Sequence, residues 1–347
     1  MGVDVGVIGA GWWACEAHVP MLMANPDVGR VVPVHADPEG LARVQGRFGL
    51  ERGYTDAAAL LEGEDLGAVV VASPHVYHAE HALMAIGHGL PVLVEKPMAT
   101  TAADARRVRD AAEDAGVPVL VPYGWNYHAL MDAGHRLVAE GRIGEVRHVA
   151  AQMASALADL FAGEPMAETA GALFRPPPST WADPQRAGGY GWGQLTHGLG
   201  ALFRLVDLDP VEVYARIGLL PAGVDYYDAA VMTFANGATV ALSGSGTVPK
   251  ARGFQVDIRL FGTEGMLLLD IERPRLEVVR HDGDVHVEPL GPGAADYDVA
   301  SPANRLVDLA LGRPVVNPAD ATVGLRATQV LDAMSRSAAS GRPEAVR

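Results

Sequence analysis

The sequence predicts a chain in two parts: an α/β domain with a parallel sheet over residues 1–122 and a strand-rich α+β domain over residues 123–347. Three observations carry that expectation. Short apolar runs alternate with helical patterns through the first third. A glycine-rich turn stands at the first strand–helix junction, and after residue 123 strand-like stretches recur with hairpin turns between them. A length of 347 residues suits two domains at ~150 residues each. An apolar content of 49% supplies a large core, and the many glycines and prolines are scattered as turns rather than gathered in a linker.

The first strand, Val5-Gly6-Val7-Ile8, ends at Gly9-Ala10-Gly11-Trp12-Trp13-Ala14, and a helix follows over about Trp13 to Ala24. That is G-x-G-x-x-A between strand and helix, the fingerprint of a dinucleotide-binding Rossmann unit. Gly9 makes the tight turn, Gly11 lets backbone approach a pyrophosphate, and Ala14 lets helix and strand pack closely. The free N–H groups of the helix start favour the anion, so Gly9, Gly11, Trp12 and Trp13 are read as cofactor-binding.

The second strand, about Val31 to Ala36, delivers Asp37-Pro38. An acid at that tip accepts from the adenosine ribose and repels a 2′-phosphate, which favours NAD over NADP; Asp37 also suits the cap of the next helix. Leu66–Ala72 is a strand closing at Ser73-Pro74, Tyr77–His88 a helix, and Pro91–Glu95 a strand. Thr101–Ala115 is a helix and Val117–Pro122 the last strand of the set. Ligand is expected at the C-terminal strand ends, where Ser73, Pro74 and Glu95-Lys96-Pro97 fall.

Lys96 stands out in this composition. Of 27 basic residues only Lys96 and Lys250 are lysine. Arginine cannot give up its proton in a protein, whereas a buried lysine can. A lysine that persists at a strand end beside a dinucleotide turn is therefore a candidate for proton transfer. Lys250 lies in a Thr-Val-Pro-Lys loop with no such surroundings.

A formal charge of −15 argues against nucleic acid or an anionic membrane as partner. The single cysteine, Cys15, leaves no intrachain disulfide and no cysteine metal site. No apolar run is long enough to span a bilayer. The start, Met1-Gly2-Val3-Asp4-Val5, carries no basic stretch or cleavage site, so a cytoplasmic protein is expected. His75, His78 and His81 recur every three residues with Glu80 among them, yet such positions drift around a helix axis. The expectation is no metal, and a surface helix with one cofactor-side histidine.

These residues together resemble the Gfo/Idh/MocA oxidoreductase family, named for glucose–fructose oxidoreductase, inositol dehydrogenase and a rhizopine-catabolism protein. The resemblance rests on Gly9-Ala10-Gly11, Asp37, the segment from Ala72-Ser73-Pro74 to His78, and Glu95-Lys96-Pro97. Gly124-Trp125-Asn126, the glycine-rich run ending at His197 and a final helix at about 319–339 extend it over essentially the whole chain. It implies a second domain built on a large, mostly antiparallel open sheet that shields the nicotinamide on one face and meets another subunit on the other. A homodimer or homotetramer is then expected. Strand-like stretches at 147–153, 211–219, 228–234, 238–245, 254–261, 266–270, 276–280 and 285–289 fit, with hairpin signals at Asn236-Gly237 and Asp282-Gly283. The resemblance also implies that His78, Glu95, Lys96 and Asn126 lie with the cofactor, and that the substrate is a polyol, sugar or glycoside.

One part of the family pattern is broken. Anchored on His197, the run reads Gly188-Gly189-Tyr190-Gly191-Trp192-Gly193-Gln194-Leu195-Thr196-His197-Gly198-Leu199-Gly200. Gly193 and Gly200 stand where the family carries aspartates. Without a carboxylate to orient it, His197 is a less defined base. Tyr127, Trp192 and Gln194 are further substrate-side candidates, and the irregular stretch from Ala154 to Arg186 is where specificity would be set. The expected chemistry is hydride transfer between a secondary alcohol and nicotinamide. Lys96 would serve as proton relay and carbinol-oxygen ligand, and His197 as general acid/base. Two alternatives stay open: an NAD-dependent glycosidase working by transient C3 oxidation and elimination, and a non-catalytic NAD- and sugar-binding regulator.

Overall fold

The computed structural model describes residues 2–347, which divide into two compact units. The first comprises the chain through Pro122 with Pro165–Thr180 and Asp298–Leu325; the second comprises Tyr123–Glu164, Trp181–Tyr297 and Arg326–Arg347.

The first unit runs β1 (Val3–Ile8), a π-helical turn (Ala14–His18) leading into α1 (Val19–Ala24), β2 (Val28–Val34), α2 (Pro38–Phe48) and α3 (Ala57–Gly63). It continues through β3 (Ala68–Val71), α4 (His78–Gly87), β4 (Val92–Val94), α5 (Ala102–Ala115) and β5 (Val119–Leu120). The five strands form one parallel sheet in the order β2-β1-β3-β4-β5. Strand order reverses at β1, between β2 and β3, which opens a crevice beyond the C-terminal strand ends. Every residue of β3 and β4 is buried, as a sheet covered on both faces requires. Asp37, Asp56 and Thr101 accept backbone N–H groups at the starts of α2, α3 and α5. The second strand begins three residues before the expected Val31 because Val28 pairs with Val3 at the exposed sheet edge, where no apolar pattern marks the strand.

The chain goes on through α6 (Ala129–Ala139), β6 (Val146–Ala154), α7 (Ala158–Ala162), α8 (Pro178–Trp181) and α9 (Thr196–Leu205). Then come β7 (Pro210–Leu219), β8 (Asp225–Phe234), β9 (Thr239–Ser245), β10 (Gln255–Gly262), β11 (Gly265–Asp270), β12 (Arg275–Arg280) and β13 (Val285–Val287). The last elements are α10 (Ala300–Ala310), α11 (Ala321–Ser340) and β14 (Glu344–Ala345). The second unit's sheet has nine strands in the order β13-β12-β11-β10-β6-β9-β8-β7-β14. Only the β6–β9 pair is parallel. The turns at Gly237 (φ 82°) and Gly283 (φ 93°) join β8 to β9 and β12 to β13, as their Asn-Gly and Asp-Gly signals imply. Along β8 buried Tyr226, Asp228, Ala230, Met232 and Phe234 alternate with Tyr227, Ala229 and Val231 on the open face. The period of two thus separates a helix-covered face from an exposed one.

Helices α3 and α6 to α10 lie outside the helices expected from the sequence. In the first unit, α10 lays Ala303, Leu306 and Val307 against Val5, Val7, Val70 and Leu93 of the parallel sheet. In the second, α6 packs with α9. The stretch from 154 to 186 is not wholly irregular, since it holds α7, α8 and short 3-10 turns.

Candidate functional site

In the first unit the dinucleotide turn is built as its residues require. Gly9 has φ 91°, and a Cβ there would fall 2.3 Å from the Ser73 nitrogen, so only glycine fits. At Gly11 a Cβ would meet nothing closer than the Gly9 carbonyl at 4.0 Å. A side chain would project into that open space, which is the cradle a pyrophosphate needs above the helix start. Asp37 ends the β2 connection, and its carboxylate accepts from Glu39 N (3.3 Å) and Gly40 N (2.9 Å) while its side chain stays exposed. It is both a helix cap and an acid at the strand tip.

The turns after β3 and β4 are tied together by histidines. Both His78 ring nitrogens face carbonyls, Nε2 to Ser73 O at 2.6 Å and Nδ1 to Pro97 O at 2.7 Å. Burial pushes the His78 pKa down, against the pull of the Pro97 carbonyl and the Glu95 charge. His81 Nδ1 reaches the Ser73 hydroxyl at 2.9 Å. The helix at His75–His81 is not a surface one on this side: His75 and His78 are buried. With both nitrogens committed to carbonyls, His78 braces the loops that carry Ser73-Pro74 and Lys96-Pro97, the latter a cis peptide.

Glu95, expected to touch the cofactor, has both oxygens engaged by the protein. Oε1 accepts from Trp13 Nε1 (2.9 Å) and lies 2.8 Å from His18 Nε2, and Oε2 accepts the Lys96 backbone N–H at 3.0 Å. Burial raises its pKa, but the His18 hydrogen bond and the charges of His18, Lys96 and His78 outweigh that and hold the carboxyl below its ordinary value. Glu95 thereby clasps the first helix to the end of β4. His18 was passed over in the sequence; its only signal is a spacing of five residues from Trp13 on one helical segment.

Lys96 is 8% exposed. Desolvation pulls its ammonium pKa from 10.5 to about 8, with the Glu95 carboxylate pulling the other way. Trp12 packs edge-to-face on Trp13 at 5.7 Å. The first unit therefore gathers Gly9, Gly11, Trp13, Ser73, His78, Glu95 and Lys96, with Asp37 at the neighbouring strand tip.

Asn126, Tyr127, Trp192, Gln194 and His197 belong to the second unit. Asn126 is wholly buried and donates to the Gly200 carbonyl at 3.0 Å. His197, on α9, is 4% exposed. Tyr123, Trp125 and Tyr297 surround it edge-on, at ring distances of 5.8, 5.7 and 5.4 Å. Gln194 and Tyr127 are buried and Trp192 half-buried. The glycine-rich run folds as a π-helical turn, Gly191–Leu195, continuing into α9. Asp225 caps its start by accepting Gly191 N–H at 2.5 Å.

The glycines that break the family pattern are explained by what fills their space. A Cβ at Gly193 would lie 2.7 Å from the Phe161 ring and 3.2 Å from Trp181. At Gly200 it would lie 2.5 Å from the Tyr123 ring. Aromatic rings occupy the volume that aspartate side chains would need.

A feature the sequence did not announce is a buried acidic pair. Asp228 is 4% exposed and faces Asp225. Burial, then the Asp225 charge, push the Asp228 pKa well up; burial likewise raises Asp225 despite the Gly191 N–H it accepts.

Comparison with known proteins bears on these sites. Residues 3–123 match the oxidoreductase family with an NAD-binding Rossmann fold, and residues 132–268 match the GFO/IDH/MocA C-terminal domain. A 1,5-anhydro-D-fructose reductase from Ensifer adhaerens is 30% identical over 76% of this chain and 74% of its own length. An inositol 2-dehydrogenase from Pseudomonas fluorescens is 37% identical over 42% of this chain and 44% of its own. For three other curated relatives the match spans only 34% to 57% of their length. The crystal structure of levoglucosan dehydrogenase with NADH and levoglucosan superposes with a TM-score of 0.77 over 100% of both chains at 21% identity, a likeness of fold. With both domain types matched in order, and a relative aligned over most of each chain, this protein belongs to the GFO/IDH/MocA family of oxidoreductases.

Proposed function

We propose that this protein is an NAD-dependent dehydrogenase or reductase acting on a secondary alcohol of a polyol, sugar or glycoside. The observation that carries the reading is Lys96: a buried lysine at the end of β4, beside the dinucleotide turn, with an ammonium that loses its proton near pH 8. The bound nicotinamide supplies the hydride acceptor or donor. The chain's own work is to hold the dinucleotide and to move a proton. Gly9 and Gly11 admit the pyrophosphate, and the acid at Asp37 supports NAD over NADP. Trp12, Trp13, Ser73, Pro74, His78 and Asn126 are also assigned to the cofactor. Glu95, fastened by Trp13 and His18, fixes the backbone of Lys96. Lys96 is assigned as carbinol-oxygen ligand and proton relay, and His197 as general acid/base, with Tyr127, Trp192 and Gln194 on the substrate side.

The substrate class is supported by relatives named for anhydrofructose, inositol and levoglucosan. The exposed face of the nine-stranded sheet, with Tyr227 51% and Val231 56% exposed, supports pairing between copies of the chain. The test is NADH formation by purified protein across cyclitols, free sugars and glycosides, with Lys96→Met as control. NADH formed by the wild type and lost in the variant supports the reading. Undiminished turnover in the variant removes Lys96 from the chemistry. Glycoside cleavage without net NADH would point instead to transient oxidation and elimination.

A further inference from the structure

The segment Pro165–Thr180 clusters with the first unit. Leu173 and Phe174 pack against the buried cluster of Ala10, Cys15 and Val44. The Phe174 ring stacks on His35, with centroids 5.1 Å apart and planes 21° apart. On Phe174 also lies the Arg43 guanidinium, 4.7 Å from the centroid, and an Arg43 Nη donates to the Leu173 carbonyl. His35 in turn contacts the backbone of Asp37, with Nδ1 3.0 Å from Asp37 O and 3.2 Å from Asp37 N. Phe174 is thus wedged between the residue bracing the acidic strand tip and an arginine on the helix that tip begins.

Arg43 makes no ion pair among the described residues; its guanidinium is committed to a ring face and a carbonyl. An arginine near the β2 tip is the usual means of accommodating the 2′-phosphate that separates NADP from NAD. Here the positive charge is held on the Phe174 ring, whose other partner is His35, the side chain that contacts the Asp37 backbone. We propose that Phe174 is a cofactor-specificity residue: it engages Arg43 in the strap, so that the Asp37 tip alone meets the ribose and NAD is preferred over NADP. This rests on the reading of the turn as a dinucleotide site and deepens it. With Phe174 truncated, Arg43 loses its platform and gains a ring-sized space beside His35. For a 2′-phosphate the Leu173 carbonyl would then be the remaining competitor for the guanidinium, a charge-assisted donor.

The experiment measures dissociation constants for NAD and NADP by tryptophan fluorescence at one fixed ionic strength, because the phosphate contribution is screened by salt. The proteins are wild type, Phe174→Ala, Phe174→Leu, Arg43→Gln and Phe174→Ala/Arg43→Gln. Expected is a shift of about tenfold toward NADP in Phe174→Ala, the size of one charge-assisted hydrogen bond. A smaller shift is expected in Phe174→Leu, which still fills most of the space and covers the case in which the alanine variant does not fold. The shift should vanish in the double variant, and Arg43→Gln alone should stay within twofold of wild type. An unchanged ratio in the folded Phe174 variants, or a shift that persists without Arg43, overturns the proposal while leaving the cofactor site intact. A wild type that binds neither dinucleotide overturns both.

Discussion

Replacing Lys96 with methionine removes the charge but keeps an unbranched side chain, which separates electrostatics from packing. The ammonium falls from 10.5 to about 8 on burial. At about 1.36 kcal/mol per pH unit, the native state disfavours its charged form by about 3 kcal/mol. Because the native pKa lies below the unfolded one, the unfolded chain binds more protons between pH 8 and 10.5. Wild-type stability therefore gains from this group as pH rises through that window. At pH 7 Lys96→Met should be more stable than wild type by up to about 3 kcal/mol, less whatever the methionine loses in fit. The gap should close toward pH 10.5. Urea unfolding of both proteins at pH 7, 8, 9 and 10 measures it, and a gap that stays flat across that range refutes the buried-ammonium reasoning. In the same variant, alcohol oxidation should fall by at least about 100-fold, the usual worth of a general acid–base group, while NAD affinity stays within about threefold.

Glu95→Gln removes the carboxylate that supports the Lys96 charge, so the rise of oxidation rate with pH should move to lower pH; an unmoved pH–rate profile would contradict the coupling. Asp228→Asn should stabilise the protein at pH 7–8 and lose that advantage near pH 4. The pair's native pKa values are raised, so their contribution is present at low pH and is lost as pH climbs; melting temperatures across this range decide it. Gly193→Asp, which restores the family residue, should cost about 3 kcal/mol or more, because its Cβ would lie 2.7 Å from the Phe161 ring and its carboxylate among aromatics. A urea midpoint equal to wild type would show that space to be available.

Much of the first unit was legible because its signals are local. The apolar runs at 69–71 and 92–94, the glycines at 9 and 11 and the caps at Asp37 and Thr101 each act within a few residues of where they stand. Lys96 drew notice through composition and through its place in Glu95-Lys96-Pro97 at a strand end, and it is buried there. The role of Glu95 was not legible, because its partners Trp13 and His18 lie 82 and 77 residues away. Phe174 was invisible for the same reason, being 131 residues from Arg43 in an irregular stretch. The run from Gly188 to Gly200 reads as loop by composition. From Gly191 onward it is helical, with Tyr123 and Phe161 filling the space beside its glycines, which no local pattern encodes.

The covering of the parallel sheet by α10 sets an order on synthesis. When the ribosome has released the first 122 residues, all five strands exist, yet Val5, Val7, Val70 and Leu93 still lack Ala303, Leu306 and Val307. The outer strand β5 also waits for Ala319, whose carbonyl takes the Val121 N–H at 2.8 Å, and for the bridge from Leu120 to Asp320. The nascent nucleotide-binding half therefore stays open to chaperones and proteases until about 200 further residues have emerged. Expressing it without the downstream helix should give a fragment that aggregates through its bare apolar face.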